Sequence, residues 1–149
     1  MTRVLLLQGA NMEWLGRREP HLYGRTTADE LDAMMQTQAR ERGATLDIAY
    51  TNHEGAAIDL LYKHARAQDI DVIVLNPAGF TYSGYALRDC IKAITIPVVE
   101  VHMTNHYERE IHSVIASASV GVIMGFGIHT YHLALDAALR IAGETAGKT

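Results

Sequence analysis

The run LGRREPHLYG at residues 15–24 places Arg17, Arg18 and Tyr23 in one stretch between Gly16 and Gly24, with Pro20 inside it. Glycine and proline punctuate loops, so the run is expected to be a mobile, exposed loop. A solvated loop needs charge only for solubility. A lid over an active site needs a base and a group to activate it. A phenol is a weak base near neutrality, its reference pKa being about 10. A guanidinium beside it favours the phenolate, because the guanidinium stays charged. Asn11, Arg18 and Tyr23 therefore form a candidate constellation for proton abstraction. The alternative is a solvated loop with an incidental tyrosine.

A second constellation lies in VEVHMTNHYERE, residues 99–110. His102 follows an apolar run. Glu100 could orient its ring and fix its tautomer. The backbone amides of Met103 and Thr104, with the Thr104 hydroxyl, could hold a carboxylate. The alternative is a capped strand end with exposed histidines. A third candidate is Asn76 in LNPAGFTYSGYALRD, residues 75–89, which could position a water or hydrogen-bond an enolate. Its alternative is turn chemistry, since Asn-Pro initiates turns.

Several chemistries are disfavoured. GVIMGFG at 121–127 lacks the spacing of a dinucleotide loop, and no phosphate-binding GxxxxGK[ST] pattern occurs. No HExxH is present, and His102 and His106 would pair on a metal only in a helix, whereas His102 is expected to end a strand. Lys63 and Lys92 fall on expected helices and Lys148 in the tail, so none suits a Schiff base. Neither metal nor organic cofactor is expected.

Those residues need a scaffold. The 149 residues suit one domain, 1–149. Apolar residues are 48% and charged residues 20%, enough for a core without disulfides, and Cys90 is the single cysteine. A net charge of −4 argues against a basic nucleic-acid face. The opening apolar run is too short for a membrane span and lacks a cleavage pattern, so a soluble cytoplasmic protein is expected. Strands are expected at 3–7, 45–50, 71–75, 97–101 and 119–124, the third closed by Asn76-Pro77. Helices are expected at 27–43, 54–68, 84–93 and 128–142, the first opened by a Thr27–Glu30 capping box. Alternating strands and helices predict an α/β fold, a flavodoxin-like three-layer sandwich with a five-stranded parallel sheet. Such sheets bind ligands at the carboxyl ends of their strands. The polar residues there should gather: Gln8 and Asn11, Asn52 and His53, Asn76, then His102, Thr104 and Asn105.

Taken together, GAN at 9–11, LGRREPHLYG at 15–24, TNHEGAAID at 51–59, LNPAG at 75–79, ALRD at 86–89, EVHMTN at 100–105, RE at 109–110 and GVIMGFG at 121–127 resemble the type II 3-dehydroquinate dehydratases. The resemblance spans nearly the whole chain. It implies a hydro-lyase of the shikimate pathway or of quinate catabolism, acting without metal or Schiff base on a small-molecule carboxylate. It implies Tyr23 as the base, Arg18 as its activator on the lid, and Asn11 and Asn76 around the enolate or its water. It implies His102 as the acid, supported by Glu100, with the substrate carboxylate at Met103 and Thr104. Arg109 matches a second lid-side arginine of the family, and Asp89 would reach a neighbouring subunit's site in a dodecameric homo-oligomer.

This chain departs from the family pattern in places. Gly9-Ala10-Asn11 stands where Gly-Pro-Asn is usual. Tyr82 stands where the family has a histidine. After Arg109-Glu110 the chain reads Ile111-His112-Ser113 and lacks a second arginine. In the family that histidine and arginine hold the ring hydroxyls of the substrate. Tyr107, His106 and Arg109 are the residues near enough in sequence to replace the arginine. Three functions follow. One is a 3-dehydroquinate dehydratase with a remodelled pocket. Another is a paralogous lyase or isomerase using the same Tyr/Arg/His chemistry on a different cyclic hydroxy-carboxylate. The last is a non-catalytic oligomeric binding module.

Overall fold

The computed structural model describes residues 1–147, so Lys148 lies outside the described residues. Five strands form one parallel sheet: β1 (Arg3–Ala10), β2 (Thr45–Tyr50), β3 (Val72–Ala78), β4 (Val98–His102) and β5 (Gly121–Met124). Their order across the sheet is β2-β1-β3-β4-β5. The helices are α1 (Pro20–Tyr23), α2 (Ala28–Glu41), α3 (Glu54–Ala67), α4 (Phe80–Ser83), α5 (Tyr85–Ala93) and α6 (His129–Ala146).

A parallel sheet is covered on both faces, which is why β1 and β3 read as unbroken apolar runs. Val4 and Leu6 of β1 pack with Leu31 and Met35 of α2 and with Tyr131 and Leu135 of α6. Leu5 and Leu7 point the other way, into a core with Leu61 of α3 and Leu87 and Ile91 of α5. Thr27 caps α2 as the sequence predicts: its hydroxyl accepts from the Glu30 amide at 3.2 Å, and its own amide donates to the Glu30 carboxylate.

The differences from the sequence reading fall at the ligand end of the sheet. Strands β1 and β3 run three residues further than expected, with Gln8 opposite Asn76 and Ala10 opposite Ala78. Asn76-Pro77 therefore continues a central strand instead of closing it. Proline has no amide to give a ladder. Gly9 lies against it instead, and a Cβ there would stand 2.3 Å from the Pro77 carbonyl oxygen. The expected loop at 15–24 contains α1, for which Pro20 supplies a first-turn residue with no amide to satisfy. Strand β5 starts two residues later than expected, after a 3-10 turn at Ala116–Ala118, and α6 runs four residues beyond 142.

Candidate active site

The chain order reverses between β1 and β3, and a cleft opens at the carboxyl ends of β1, β3 and β4. It encloses about 620 Å³, its open mouth included. The segment after β1 forms one wall. It is held by buried Met12 and Leu15 and by Asn52, whose side chain accepts from the Asn11 amide at 2.9 Å and donates to Glu13 at 2.9 Å. The turns after β3 and β4 supply the other walls.

Tyr23, at the end of α1, is half-buried and lines the cleft. Arg109 Nη1 donates to its phenol oxygen at 3.2 Å and to Thr104 Oγ1 at 3.0 Å. Because Thr104 accepts that bond, its own hydroxyl hydrogen stays available to a ligand. The Arg18 guanidinium lies over the Tyr23 ring, 5.5 Å from its centre, and pairs with Glu19 at 3.6 Å. The guanidinium bonded to the phenol oxygen is therefore Arg109, not the Arg18 that the sequence singles out.

His102 is the last residue of β4, and Glu100 sits two residues back on the same face of that strand. Glu100 is fully buried; its Oε2 bonds His102 Nε2 and its Oε1 accepts from Ser119 Oγ at 3.3 Å. Glu100 thus stands behind His102, outside the lining of the cleft, and commits Nε2 so that Nδ1 is the nitrogen left for a ligand. The ring of His106 lies against that of His102 in a tilted contact, with centres 3.8 Å apart and planes at 51°. Burial lowers the His106 pKa to about 4; the neighbouring His102 and Arg109 push it the same way, and the Glu100 carboxylate opposes them without reversing the shift.

Asn76 is tied into a buried chain. Its amide nitrogen donates to the Tyr131 hydroxyl at 2.7 Å, which in turn donates to Gln8 Oε1 at 2.8 Å. Its Oδ1 accepts from the Ala78 amide at 2.9 Å. The other Asn76 N–H makes only a weak contact with the Met12 sulfur at 3.6 Å and stays open to a stronger acceptor in the cleft. Tyr131 is wholly enclosed, and that burial pushes its phenol up to about 12.

Of the residues picked out by sequence, Asn11, Arg18, Tyr23, Asn76, Tyr82, His102, Met103, Thr104 and Arg109 share the cleft. Asp89 does not: it is exposed on α5 and pairs with Arg88 at 3.0 Å. Asn52 and His53 flank a separate depression with Tyr50 and Glu13, and Asn105 caps its own turn by accepting from the Tyr107 amide. Sequence reasoning missed Met12, Leu15, Ala78, Thr81 and Ile111 as lining residues and saw His106 only as a stand-in for other chemistry. Apolar walls carry no motif. Backbone strain gives a second mark of the site. Asn11, Glu19, Ala78 and Glu110 have positive φ, four of the five non-glycine residues that do among those described, and all four border the cleft or its lid.

A doubly wound α/β domain is thereby defined, with a tyrosine, two arginines and a histidine–glutamate pair at its ligand end. The chain belongs to the class II dehydroquinase family, whose model, "Dehydroquinase class II", matches residues 2–139. It is 43% identical over 144 residues to a 3-dehydroquinate dehydratase of Pelotomaculum thermopropionicum, covering 95% of this chain and 99% of that one. It is 42% identical to a "catabolic 3-dehydroquinase 1" of Fusarium vanettenii, covering 92% and 96% of the two chains. Among solved structures, a type II dehydroquinase from Butyrivibrio crossotus superposes with a TM-score of 0.88 at 32% identity, over 92% of this chain and 97% of that one.

Proposed function

We propose that this chain dehydrates 3-dehydroquinate to 3-dehydroshikimate by anti elimination through an enolate. The observation that carries the reading is one cleft holding Tyr23, bonded by a guanidinium, together with His102, backed by a buried carboxylate. The Tyr23 phenolate takes the proton from the carbon next to the ketone. The electron pair moves onto the ketone oxygen, where Asn11 and the remaining Asn76 N–H, directly or through a water, meet the developing charge. The enolate then re-forms the ketone and expels the hydroxyl on the next carbon. His102 Nδ1 protonates that hydroxyl as it leaves, so the products are a conjugated enone and water. Tyr23 ends protonated and His102 deprotonated, and one proton exchange with solvent resets both.

Glu100 stabilises the protonated His102 and holds its tautomer. The substrate carboxylate meets the Thr104 hydroxyl and the amides after β4, beside Arg109. The segment at 15–24 acts as a lid that excludes water when substrate is bound. The reading carries a homo-oligomer, a dodecamer working in the cytoplasm, in which the exposed Asp89 reaches a neighbour's cleft. Among the described residues, no helix is long and apolar enough to cross a membrane.

The test is the ultraviolet absorbance of the enone when purified protein meets 3-dehydroquinate. Turnover should appear in the wild type and fall by at least about 100-fold in Tyr23→Phe, with the circular dichroism unchanged. A folded wild-type protein that forms no enone sinks the reading. Retained activity in Tyr23→Phe sinks the base assignment.

A further inference from the structure

Three side chains of the turn after β4 stand near enough in sequence to replace the arginine that the family pattern would place after Glu110: His106, Tyr107 and Arg109. Tyr107 is 86% exposed and outside the cleft lining. Arg109 directs Nη1 to Tyr23 and Thr104, on the reacting side of the cleft. His106 lines the cleft and is only 6% exposed. Its backbone is pinned: the amide donates to the Met124 sulfur at 3.4 Å, and the carbonyl accepts from the amides of Arg109 and Ile111. The ring is confined further by its tilted contact with the His102 ring.

The two ring nitrogens of His106 are not equivalent. Nδ1 is buried without a partner, which leaves Nε2 as the nitrogen the ring can present to the cleft. A neutral imidazole has one N–H and one lone pair. An orphaned buried N–H is rarer than an under-satisfied buried acceptor. The proton therefore belongs on Nε2, and the cleft is offered a rigid neutral donor. Burial and the nearby His102 and Arg109 keep the ring uncharged, so it does not compete with His102 as the acid.

We propose that His106 is a specificity-determining residue of this site, its Nε2–H donating a hydrogen bond to a ring hydroxyl of the substrate that is not eliminated. The inference rests on the dehydratase reading, in which the substrate ring carries such hydroxyls at C4 and C5. A side chain built to bond a hydroxyl discriminates against the analogue that lacks it, because the donor is then left unpaired.

The experiment measures kcat/KM for 3-dehydroquinate and for its 4-deoxy and 5-deoxy analogues, in wild type, His106→Leu and His106→Gln. In the wild type one deoxy analogue should be poorer by about tenfold. His106→Leu should lose about tenfold on the parent substrate and nothing on that analogue. His106→Gln, whose amide nitrogen reaches the place of Nε2, should keep most of the discrimination. If His106→Leu fails to fold, His106→Asn replaces it, since its amide reaches only the place of Nδ1, and it should show the same loss. Equal losses on all three substrates, or none on any, overturn the inference and leave the dehydratase reading standing. A wild type inactive on 3-dehydroquinate overturns both, and the wild-type assay alone separates that case.

Discussion

A phenol abstracts a proton near neutrality only if its anion is held, and Arg109 is the group bonded to Tyr23 oxygen, at 3.2 Å. The same guanidinium holds Thr104. Arg109→Ala should therefore damage both steps it touches: kcat should fall by about 100-fold and KM for the carboxylate should rise. Thr104→Val should raise KM with kcat nearly unchanged, because it removes binding that is equal in ground and transition states. Steady-state kinetics on the two variants separate these effects, and an Arg109→Ala enzyme with normal kcat would remove the residue from the base's support. His106 carries a separate, pH-linked prediction. Its folded pKa is lowered from 6.5 to about 4, so between those values the unfolded chain binds a proton that the folded chain refuses. Stability should fall as pH drops through that window, by at most about 1.4 kcal/mol per pH unit for one proton. Urea melts of wild type and His106→Leu at pH 7, 6, 5 and 4 check this, and the variant should show the shallower decline. A parallel decline in both proteins would show that other groups set the acid limb.

The elements position these side chains through a few buried polar bonds as well as through the apolar core. The chain Gln8–Tyr131–Asn76 ties β1, α6 and β3 together behind the cleft. Tyr131→Phe deletes one hydroxyl and leaves Gln8 Oε1 and an Asn76 N–H unpaired in the interior. It should cost about 1–3 kcal/mol of stability and lower kcat through a looser Asn76. Urea denaturation and the enone assay read the two effects, and unchanged stability would mean the amides find new partners. The scaffold itself was plain from sequence. The apolar runs of β1 and β3 and the Thr27–Glu30 box that opens α2 each follow from local pattern. Asn11, Tyr23 and His102 were plain too, because each lies in a run of unusual residue types at a strand end or in a glycine-bounded loop. The Arg109–Tyr23 bond was not, since it joins residues 86 apart in sequence. Nor was the continuation of β3 through Pro77, because that depends on Gly9 of the neighbouring strand and not on anything local to Asn76-Pro77.

At the scale of the whole molecule, the cleft of one chain holds Tyr23, His102, Met103 and Thr104 together, while Asp89 lies outside it with its side chain 67% exposed. Helix α5 carries Asp89 on the outward side, opposite the buried Leu87, Cys90 and Ile91, so no small movement within the subunit brings it to Tyr23. If Asp89 acts on substrate, it acts on a neighbour's. A complementation experiment decides this. Tyr23→Phe and Asp89→Ala are each expected to be impaired as pure proteins. In a Tyr23→Phe subunit the base is missing but Asp89 is intact; in an Asp89→Ala subunit the reverse holds. When the two are unfolded together at equal amounts and refolded, random assembly pairs an intact Tyr23 with an intact Asp89 at roughly a quarter of the interfaces, since each subunit contributes its defect independently. Activity should therefore recover to about a quarter of the wild-type value, above the sum of the separate variants. The recovery should require joint refolding, since preformed oligomers do not exchange their interfaces on simple mixing unless they dissociate. A jointly refolded mixture no more active than its parts would confine every catalytic requirement to a single chain and leave Asp89 a surface partner of Arg88.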